Sequence, residues 1–165
     1  MTGERAELLL ACASGGHLAQ MLALHEAWED ASRVWVTEST EDAHTQLRGE
    51  RVVFAHGPAH RNLEYGVRRI ALAWLGNMVL SVRVVVRVRP KVVLTTGGAV
   101  AVPFAWAARL VGARVVYIES LTRIDSLSTS CRLVAPVADR IYVQWPELTE
   151  LLPQARYAGS LLSAR

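Results

Sequence analysis

The fold is constrained most by short runs rich in β-branched apolar residues that alternate with helix-like segments. The runs "KVVLTT" and "RVVYIE" are continuously apolar rather than alternating, which is typical of parallel strands covered by helices on both faces. Helical patterns at 17–29, 100–111 and 125–135 separate such runs. Strands are predicted at Glu7 to Ala13, Arg33 to Thr37, Arg51 to His56, Lys91 to Thr95, Arg114 to Glu119 and Arg140 to Gln144. The pattern predicts an α/β fold, a doubly wound parallel sheet of the Rossmann-like type.

Composition and charge bound the class of protein. The chain has 165 residues, 52% hydrophobic and 20% charged, which predicts one folded domain spanning 1–165. The net charge is +3, with arginines gathered between Arg61 and Arg89 and acids between Glu38 and Glu50. One basic face is therefore expected, suited to a membrane, a nucleic acid or an anionic substrate.

The two cysteines and the N-terminus bear on cellular location. Cys12 and Cys131 have neither metal-ligand spacing nor the density of a disulfide framework, so a reducing cytoplasm is expected. The start "MTGERAELLL" lacks the basic residues and long apolar core of a signal peptide, which predicts no secretion.

Two glycine pairs follow the first and fourth predicted strands. Ser14 precedes Gly15 and Gly16 in "SGGH", and Gly97 and Gly98 lie in "TTGGAVAVP". With the common strand order 3-2-1-4-5-6, these strands are neighbours and ligands bind where the order reverses. Both turns lead into helix N-termini, so together they predict a phosphate cradle. Tight strand-to-helix turns are the alternative.

Polar residues also end the fifth and sixth predicted strands. Glu119, Ser120 and Arg123 lie in "IESLTR", and Gln144 follows the sixth strand. These side chains are predicted to project into the same crevice and bind substrate. A buried glutamate needs a partner, which is either Arg123 or a substrate hydroxyl. Glu38 follows the second strand, but G-x-G-x-x-G is absent, so a dinucleotide site is not indicated.

Four blocks carry a resemblance to a known family. The chain resembles the PssD-like polysaccharide biosynthesis proteins, which are similar to the membrane-anchored subunit of the eukaryotic two-part UDP-GlcNAc transferase. It also resembles the N-terminal half of MurG-type enzymes, in which a GGH turn, a second glycine turn and a glutamate occur in this order. The blocks are "ASGGHLAQMLAL", "TTGGAVAVPFAWAARLVGARVVYIES", "SLTRIDSLSTSCRLVAPVADRIYVQWPEL" and "ARYAGSLL".

The resemblance implies a glycosyltransferase of the GT-B class divided between two chains. This chain would be the N-terminal, acceptor-side half, and a second subunit would carry the UDP-sugar site. The implied acceptor is a polyprenyl-diphosphate-linked saccharide. No cofactor is implied, and no metal is expected because His56 and His60 lack a third clustered ligand.

His17 is the predicted catalytic base, and Glu119 is the second candidate. Inverting transfer from a UDP-sugar needs a group that takes the acceptor hydroxyl proton, and imidazole titrates in the right range. His17 directly follows the first glycine pair. The alternative is that His17 only caps or packs the start of a helix.

Residues 61–89 form a candidate membrane-associating segment. Its apolar core, Ile70 to Val82, is broken by Gly76 and Asn77, and is too short for the roughly 20 residues of a spanning helix. An interfacial helix on the inner face of the cell membrane is therefore predicted, and an ordinary buried crossover helix is the alternative. The residues predicted to contact the membrane are Arg68, Arg69, Trp74, Leu75 and Met78.

Two other functions remain to be weighed at this point. The chain could be a non-catalytic subunit that recruits and stabilises a separate catalytic chain at the membrane, without taking part in proton transfer. Nucleic-acid binding is disfavoured, because the basic residues alternate with valines rather than with an exposed aromatic platform.

Overall fold

A single all-parallel sheet organises the protein. The computed structural model describes residues 5–57 and 67–161, with backbone alone at 67, 69 and 70. The strand order is β3-β2-β1-β4-β5-β6-β7, so the predicted sheet and the adjacency of the first and fourth strands are confirmed. The strands are β1 (Leu8–Cys12), β2 (Arg33–Glu38), β3 (Val52–Ala55), β4 (Val92–Gly97), β5 (Arg114–Ile118), β6 (Arg140–Val143) and β7 (Ala155–Tyr157).

Helices connect the strands as crossovers. Three short elements were missed from the sequence, namely β7 and the helices over Glu41–Gln46 and Leu148–Leu151. The predicted helix at 17–29 ends earlier, at Ala23, and a separate 3₁₀ turn follows at His25–Ala27. The helices are α1 (Gly16–Ala23), α2 (Glu41–Gln46), α3 (Val67–Val88), α4 (Ala101–Ala108), α5 (Thr129–Val134) and α6 (Leu148–Leu151).

The sheet is covered on both faces, as the continuously apolar strands predict. Alternate residues of β1 point to opposite faces, so Leu9 and Ala11 join one hydrophobic cluster while Leu10 and Cys12 join another. The first cluster includes residues of α3, α4 and α5, and the second includes residues of α1 and α2. Parallel pairing of β1 with β4 sets Cys12 beside Gly97, so the carboxyl ends of these two strands lie side by side.

Helix α3 is continuous through Gly76 and Asn77, so the predicted interruption there is wrong. The buried Asn77 side chain pairs with the backbone of His56 after β3, accepting from its N–H at 2.9 Å and donating to its carbonyl at 2.9 Å. A Cβ at Gly76 would lie 2.9 Å from the His56 ring. Both residues therefore fix α3 against the end of β3 rather than break the helix.

The continuity of α3 also changes its predicted length. The segment Ala71–Val88 has 18 residues and a mean hydropathy of 1.5, so by length and composition alone it is long and apolar enough to cross a membrane. The expectation that this segment is too short to do so is therefore wrong. In the structure α3 is a crossover helix whose inner face, including Val84, Val85 and Val88, belongs to the core.

Candidate functional site

The two glycine turns meet where the strand order reverses. Gly97 accepts a hydrogen bond from the Ala13 backbone N–H at 3.1 Å. Gly98 has φ +92°, and a Cβ there would lie 2.4 Å from the Ala13 Cβ. Only glycine allows this approach without strain. The sequence pattern therefore correctly places both turns in one location.

The first glycine turn is open, and it is held by hydrogen bonds from Ser14 to Glu38. Gly15 has φ +70°, and neither Gly15 nor Gly16 has a neighbour within 4 Å of an added Cβ. Ser14 donates to one Glu38 carboxylate oxygen twice, from its backbone N–H at 3.1 Å and from its hydroxyl at 2.6 Å. Ser14 therefore shapes the turn through Glu38, a connection that the absence of a dinucleotide fingerprint led us to overlook.

His17 is oriented by the second turn. Its Nδ1 lies 2.8 Å from the Thr96 carbonyl oxygen, and the Thr96 hydroxyl donates to the His17 carbonyl at 2.8 Å. Because a carbonyl oxygen only accepts, Nδ1 carries the proton, and the neutral ring presents Nε2 as an acceptor. Among the hydrogen bonds of the described residues, none uses Nε2. Thr96 therefore fixes the orientation of the His17 ring and leaves Nε2 outside these hydrogen bonds.

A cavity of about 420 Å³ lies beside His17 at the switch point. It brings together several predicted site residues, namely His17, Gly98, Ser120 and Arg123, and adds Trp74 from α3. Its lining is mixed, with Arg123 and hydroxyl residues alongside apolar side chains. The remaining lining residues are Ala99, Val102, Thr122, Ser128, Thr129, Ser130 and Leu133.

Glu119 does not project into this cavity, so the predicted orientation is wrong. Its side chain is fully buried. One carboxyl oxygen accepts from the Ser120 N–H at 2.7 Å, and the other accepts from the Ser128 N–H at 2.9 Å and its hydroxyl at 3.0 Å. The partners expected from sequence were Arg123 or a substrate hydroxyl. Backbone and serine donors take that place because the loop after β5 folds around the carboxyl group.

A cluster of hydroxyl groups next to Glu119 was missed from the sequence. The Tyr117 hydroxyl lies 3.0 Å from the Ser128 hydroxyl and 2.9 Å from the Ser130 hydroxyl. Burial, and secondly the negative charge of Glu119, raise the pKa of Tyr117. The tyrosine therefore stays protonated and available as a donor. The alternation of Tyr117 with Glu119 on one strand was the signal that could have revealed the cluster.

Gln144 lies away from this cavity, contrary to the prediction. Its buried side chain accepts a hydrogen bond from the Leu161 N–H at 2.9 Å. It lines a different cavity of about 500 Å³, together with Leu24, Ile118 and Tyr142. In its place Gln20 of α1 reaches the loop after β5, accepting from the Leu121 N–H at 2.9 Å and donating to the Ser120 hydroxyl at 3.3 Å.

The outer face of α3 is apolar and exposed. Leu75 is 61% exposed, Met78 48% and Trp74 38%, and Arg68 is also exposed. The side chain of Arg69 and the residues 61–66 lie outside the described part of the chain. Buried and exposed faces therefore coexist on α3, so the two alternatives for this segment are not exclusive. The other exposed apolar side chains are Leu72, Val79, Val82 and Val86.

Metal-binding and redox chemistry find few candidates in the described ranges. Within 5–57 and 67–161, no group of three or more His, Cys, Asp or Glu side chains is placed to hold a metal ion. Burial, with the nearby Glu38 charge as a smaller cause, raises the pKa of the Cys12 thiol to about 12. Cys12 is therefore a buried core thiol rather than a reactive one.

Sequence comparisons identify relatives along most of the chain. Proteins named UDP-N-acetylglucosamine transferase subunit ALG14 are similar over most of both chains. The one from Eremothecium gossypii is 31% identical, covering 97% of this chain and 82% of its own, and the human one is 28% identical, covering 96% and 84%. A Prochlorococcus marinus N-acetylglucosamine transferase named for a pyrophosphoryl-undecaprenol substrate is 30% identical, over 88% of this chain and 41% of its own.

Solved structures show the same fold. MurG from Acinetobacter baumannii matches with a TM-score of 0.69 and 19% identity, over 86% of this chain and 42% of that one. UDP-N-acetylglucosamine 2-epimerase from Rickettsia bellii matches with a TM-score of 0.67 and 10% identity, over 96% and 46%. The chain thus has the Rossmann-like fold found in about half of a GT-B enzyme. The profile of the family described as "Oligosaccharide biosynthesis protein Alg14 like" matches residues 8–161, and the chain belongs to this family.

Proposed function

We propose that this chain is the acceptor-binding, membrane-associated subunit of a two-component inverting glycosyltransferase. It would act in the transfer of a sugar from a UDP-sugar to a polyprenyl-diphosphate-linked saccharide. The curated relatives are named as subunits of a UDP-N-acetylglucosamine transferase, which supports a partner chain. The observation that carries the proposal is the cavity that brings His17 together with Gly98, Ala99 and Arg123.

In this proposal, the diphosphate of the acceptor binds at the start of α4. Gly98 and Ala99 line the cavity just before this eight-residue helix begins. Peptide dipoles make a helix N-terminus favourable for anions. The exposed guanidinium of Arg123 on the same cavity adds a positive charge that can bind two phosphate oxygens at once. These features fit a diphosphate without requiring a metal.

His17 is the catalytic base in this proposal. Its Nε2 takes the proton of the acceptor hydroxyl as that oxygen forms a bond to the anomeric carbon of the sugar. The bond from that carbon to the UDP oxygen breaks, and UDP leaves with the electron pair. The bond from Nδ1 to the Thr96 carbonyl holds the ring and stabilises the imidazolium that forms.

The exposed face of α3 provides the membrane contact. Among the described residues, little covers its apolar side chains, since Leu72 is 66% exposed and Leu75 61%. Arg83 and Arg89, near the C-terminal end of α3, are exposed as well. An apolar helix face flanked by arginines suits the interface of an anionic membrane. Trp74 lies on α3 and also lines the cavity. A lipid-linked acceptor could therefore contact the exposed face of α3 and the cavity at the same time. The subunit itself would bind peripherally, on the cytoplasmic side of the cell membrane.

The test is transfer by the chain together with its partner subunit. Sugar transfer from UDP-N-acetylglucosamine to a lipid-diphosphate saccharide is measured with the wild type and with His17→Ala. Loss of a general base costs about 100-fold or more in turnover. His25→Ala is the matched control, since His25 is exposed and contacts Glu29 and the Trp28 ring at the surface. Turnover of His17→Ala equal to that of His25→Ala would remove His17 from the chemistry.

A non-catalytic recruiting role is the second candidate, favoured by the exposed apolar face of α3. In that case His17→Ala retains full turnover, whereas polar substitutions at Leu75 or Met78 lower turnover on membranes. The two functions are thereby separated by the same assay.

A further inference from the structure

Three hydroxyl groups connect the buried Glu119 to the cavity. Tyr117 and Glu119 are fully buried, whereas Ser130 lines the cavity. The Ser128 and Ser130 hydroxyls lie 3.2 Å apart, and both lie within 3.0 Å of the Tyr117 hydroxyl. A Cβ at Gly97 would lie 2.6 Å from the Tyr117 hydroxyl and 3.4 Å from His17 Cε1. The cluster is therefore packed directly beneath the candidate base.

The protons of these hydroxyls can be assigned from the acceptors around them. All the described bonds to Glu119 are donations to it, and the Ser128 hydroxyl supplies one of them. The proton of Ser128 is therefore committed to the carboxylate, because each hydroxyl has a single proton. Ser128 also accepts from the Cys131 N–H at 3.1 Å, which leaves one lone pair for Tyr117 or Ser130.

The remaining two protons also point inward. If Tyr117 donates to Ser128, then Ser130 donates to Tyr117. If Ser130 donates to Ser128, then Tyr117 donates to Ser130. In both arrangements the proton of Ser130 is used within the cluster, so toward the cavity its oxygen can only accept. The Gly98 N–H already donates to Ser130 at 3.4 Å, a long bond that is consistent with this direction. The first arrangement leaves Ser130 one free lone pair beside the Gly98 contact, and in the second a ligand donor would replace that long contact.

We propose that Glu119 is a positioning residue that fixes the direction of this hydroxyl chain, and that Ser130 accepts a hydrogen bond from the acceptor saccharide. The donor would be a sugar hydroxyl or the amide N–H of an acetamido sugar. Phosphate oxygens are acceptors and find no donor in the Ser130 hydroxyl. Ser130 adjoins Gly98, so the group that reaches it is the sugar bonded directly to the diphosphate. This inference rests on the proposed function and assigns the sugar subsite within it.

The test is binding of a farnesyl-diphosphate-linked N-acetylglucosamine to the full chain in detergent micelles, followed by calorimetry. A panel of analogues accompanies it, each lacking one hydroxyl or the amide N–H. Losing one hydrogen bond to the partly buried Ser130 is expected to weaken affinity by about tenfold. The wild type is therefore expected to bind one analogue about tenfold more weakly than the intact probe.

Variants of the chain locate that penalty. Ser130→Ala is expected to bind the intact probe about tenfold more weakly and to lose discrimination against that one analogue. Glu119→Gln introduces an amide donor toward Ser128, which reverses the chain and abolishes the same discrimination. If Glu119→Gln fails to fold, Tyr117→Phe interrupts the chain with little change in volume and is expected to reduce the discrimination.

Controls keep the inference separate from the proposed function. Ser126→Ala, in the same loop but outside the cavity lining, and Tyr142→Phe on β6 are expected to match the wild type. Binding without discrimination by the wild type, or discrimination retained in Ser130→Ala, would overturn the inference alone. Absence of any binding of the intact probe would overturn the proposed function and the sugar subsite with it.

Discussion

The switch-point cavity and the outer face of α3 differ in how their side chains are held. Around the cavity, His17 and Glu119 are fixed by hydrogen bonds of 2.7 to 3.0 Å. On α3, Leu75 and Met78 extend from the helix with about half or more of their surface exposed. The first arrangement is suited to chemistry, which requires fixed positions, and the second to a fluid apolar surface. In the proposed function, acceptor recognition and membrane contact are therefore separate tasks that meet at Trp74.

The largest effect expected from this comparison is the loss of stability in Glu119→Ala. The substitution leaves the N–H groups of Ser120 and Ser128 buried without their acceptor, at a cost of about 3 kcal/mol or more in the free energy of unfolding. Urea denaturation followed by circular dichroism measures this change. Arg123→Ala is the matched control on the exposed side of the cavity and is expected to unfold like the wild type. Equal stability of both variants would mean that the hydrogen bonds of Glu119 do not stabilise the structure around the cavity.

A smaller effect is expected on the α3 face, in membrane binding rather than in stability. Leu75→Asp removes an apolar side chain from the proposed interface, and the fraction of protein that floats with vesicles of phosphatidylcholine and phosphatidylglycerol should fall. Removing one leucine from an apolar environment weakens partitioning by about tenfold. Leu110→Asp is the control, because Leu110 is 66% exposed in the 3₁₀ turn Arg109–Val111 that follows α4. Equal flotation of the two variants would contradict the assignment of α3 as the membrane face.

How much the sequence predicts differs between the same two regions. The sheet, its order and the meeting of the glycine turns follow from apolar runs and from glycines at strand ends, because parallel topology brings strand ends together. The burial of Glu119 does not follow from its position at the end of β5. That burial depends on the loop that carries Ser128 folding back over the carboxyl group, a long-range event without a local pattern.

The prediction of an interruption in α3 failed for a related reason. Gly76 and Asn77 usually weaken a helix, and only the position of His56 in space explains why they do not. Gln144 was predicted to lie in the cavity only because it follows the sixth strand. Its hydrogen bond with the Leu161 N–H holds it elsewhere. In each case a tertiary contact overrides the local expectation.

The central claim is that this chain holds the lipid-diphosphate acceptor and leaves the UDP-sugar to its partner. Equilibrium binding of the isolated chain to farnesyl-diphosphate-linked N-acetylglucosamine and to UDP-N-acetylglucosamine, compared in the same detergent buffer, tests this most directly. The account predicts saturable binding of the lipid-linked sugar, weakened by Arg123→Ala, and binding of UDP-N-acetylglucosamine at least about tenfold weaker. Tighter binding of UDP-N-acetylglucosamine than of the lipid-linked sugar would contradict it.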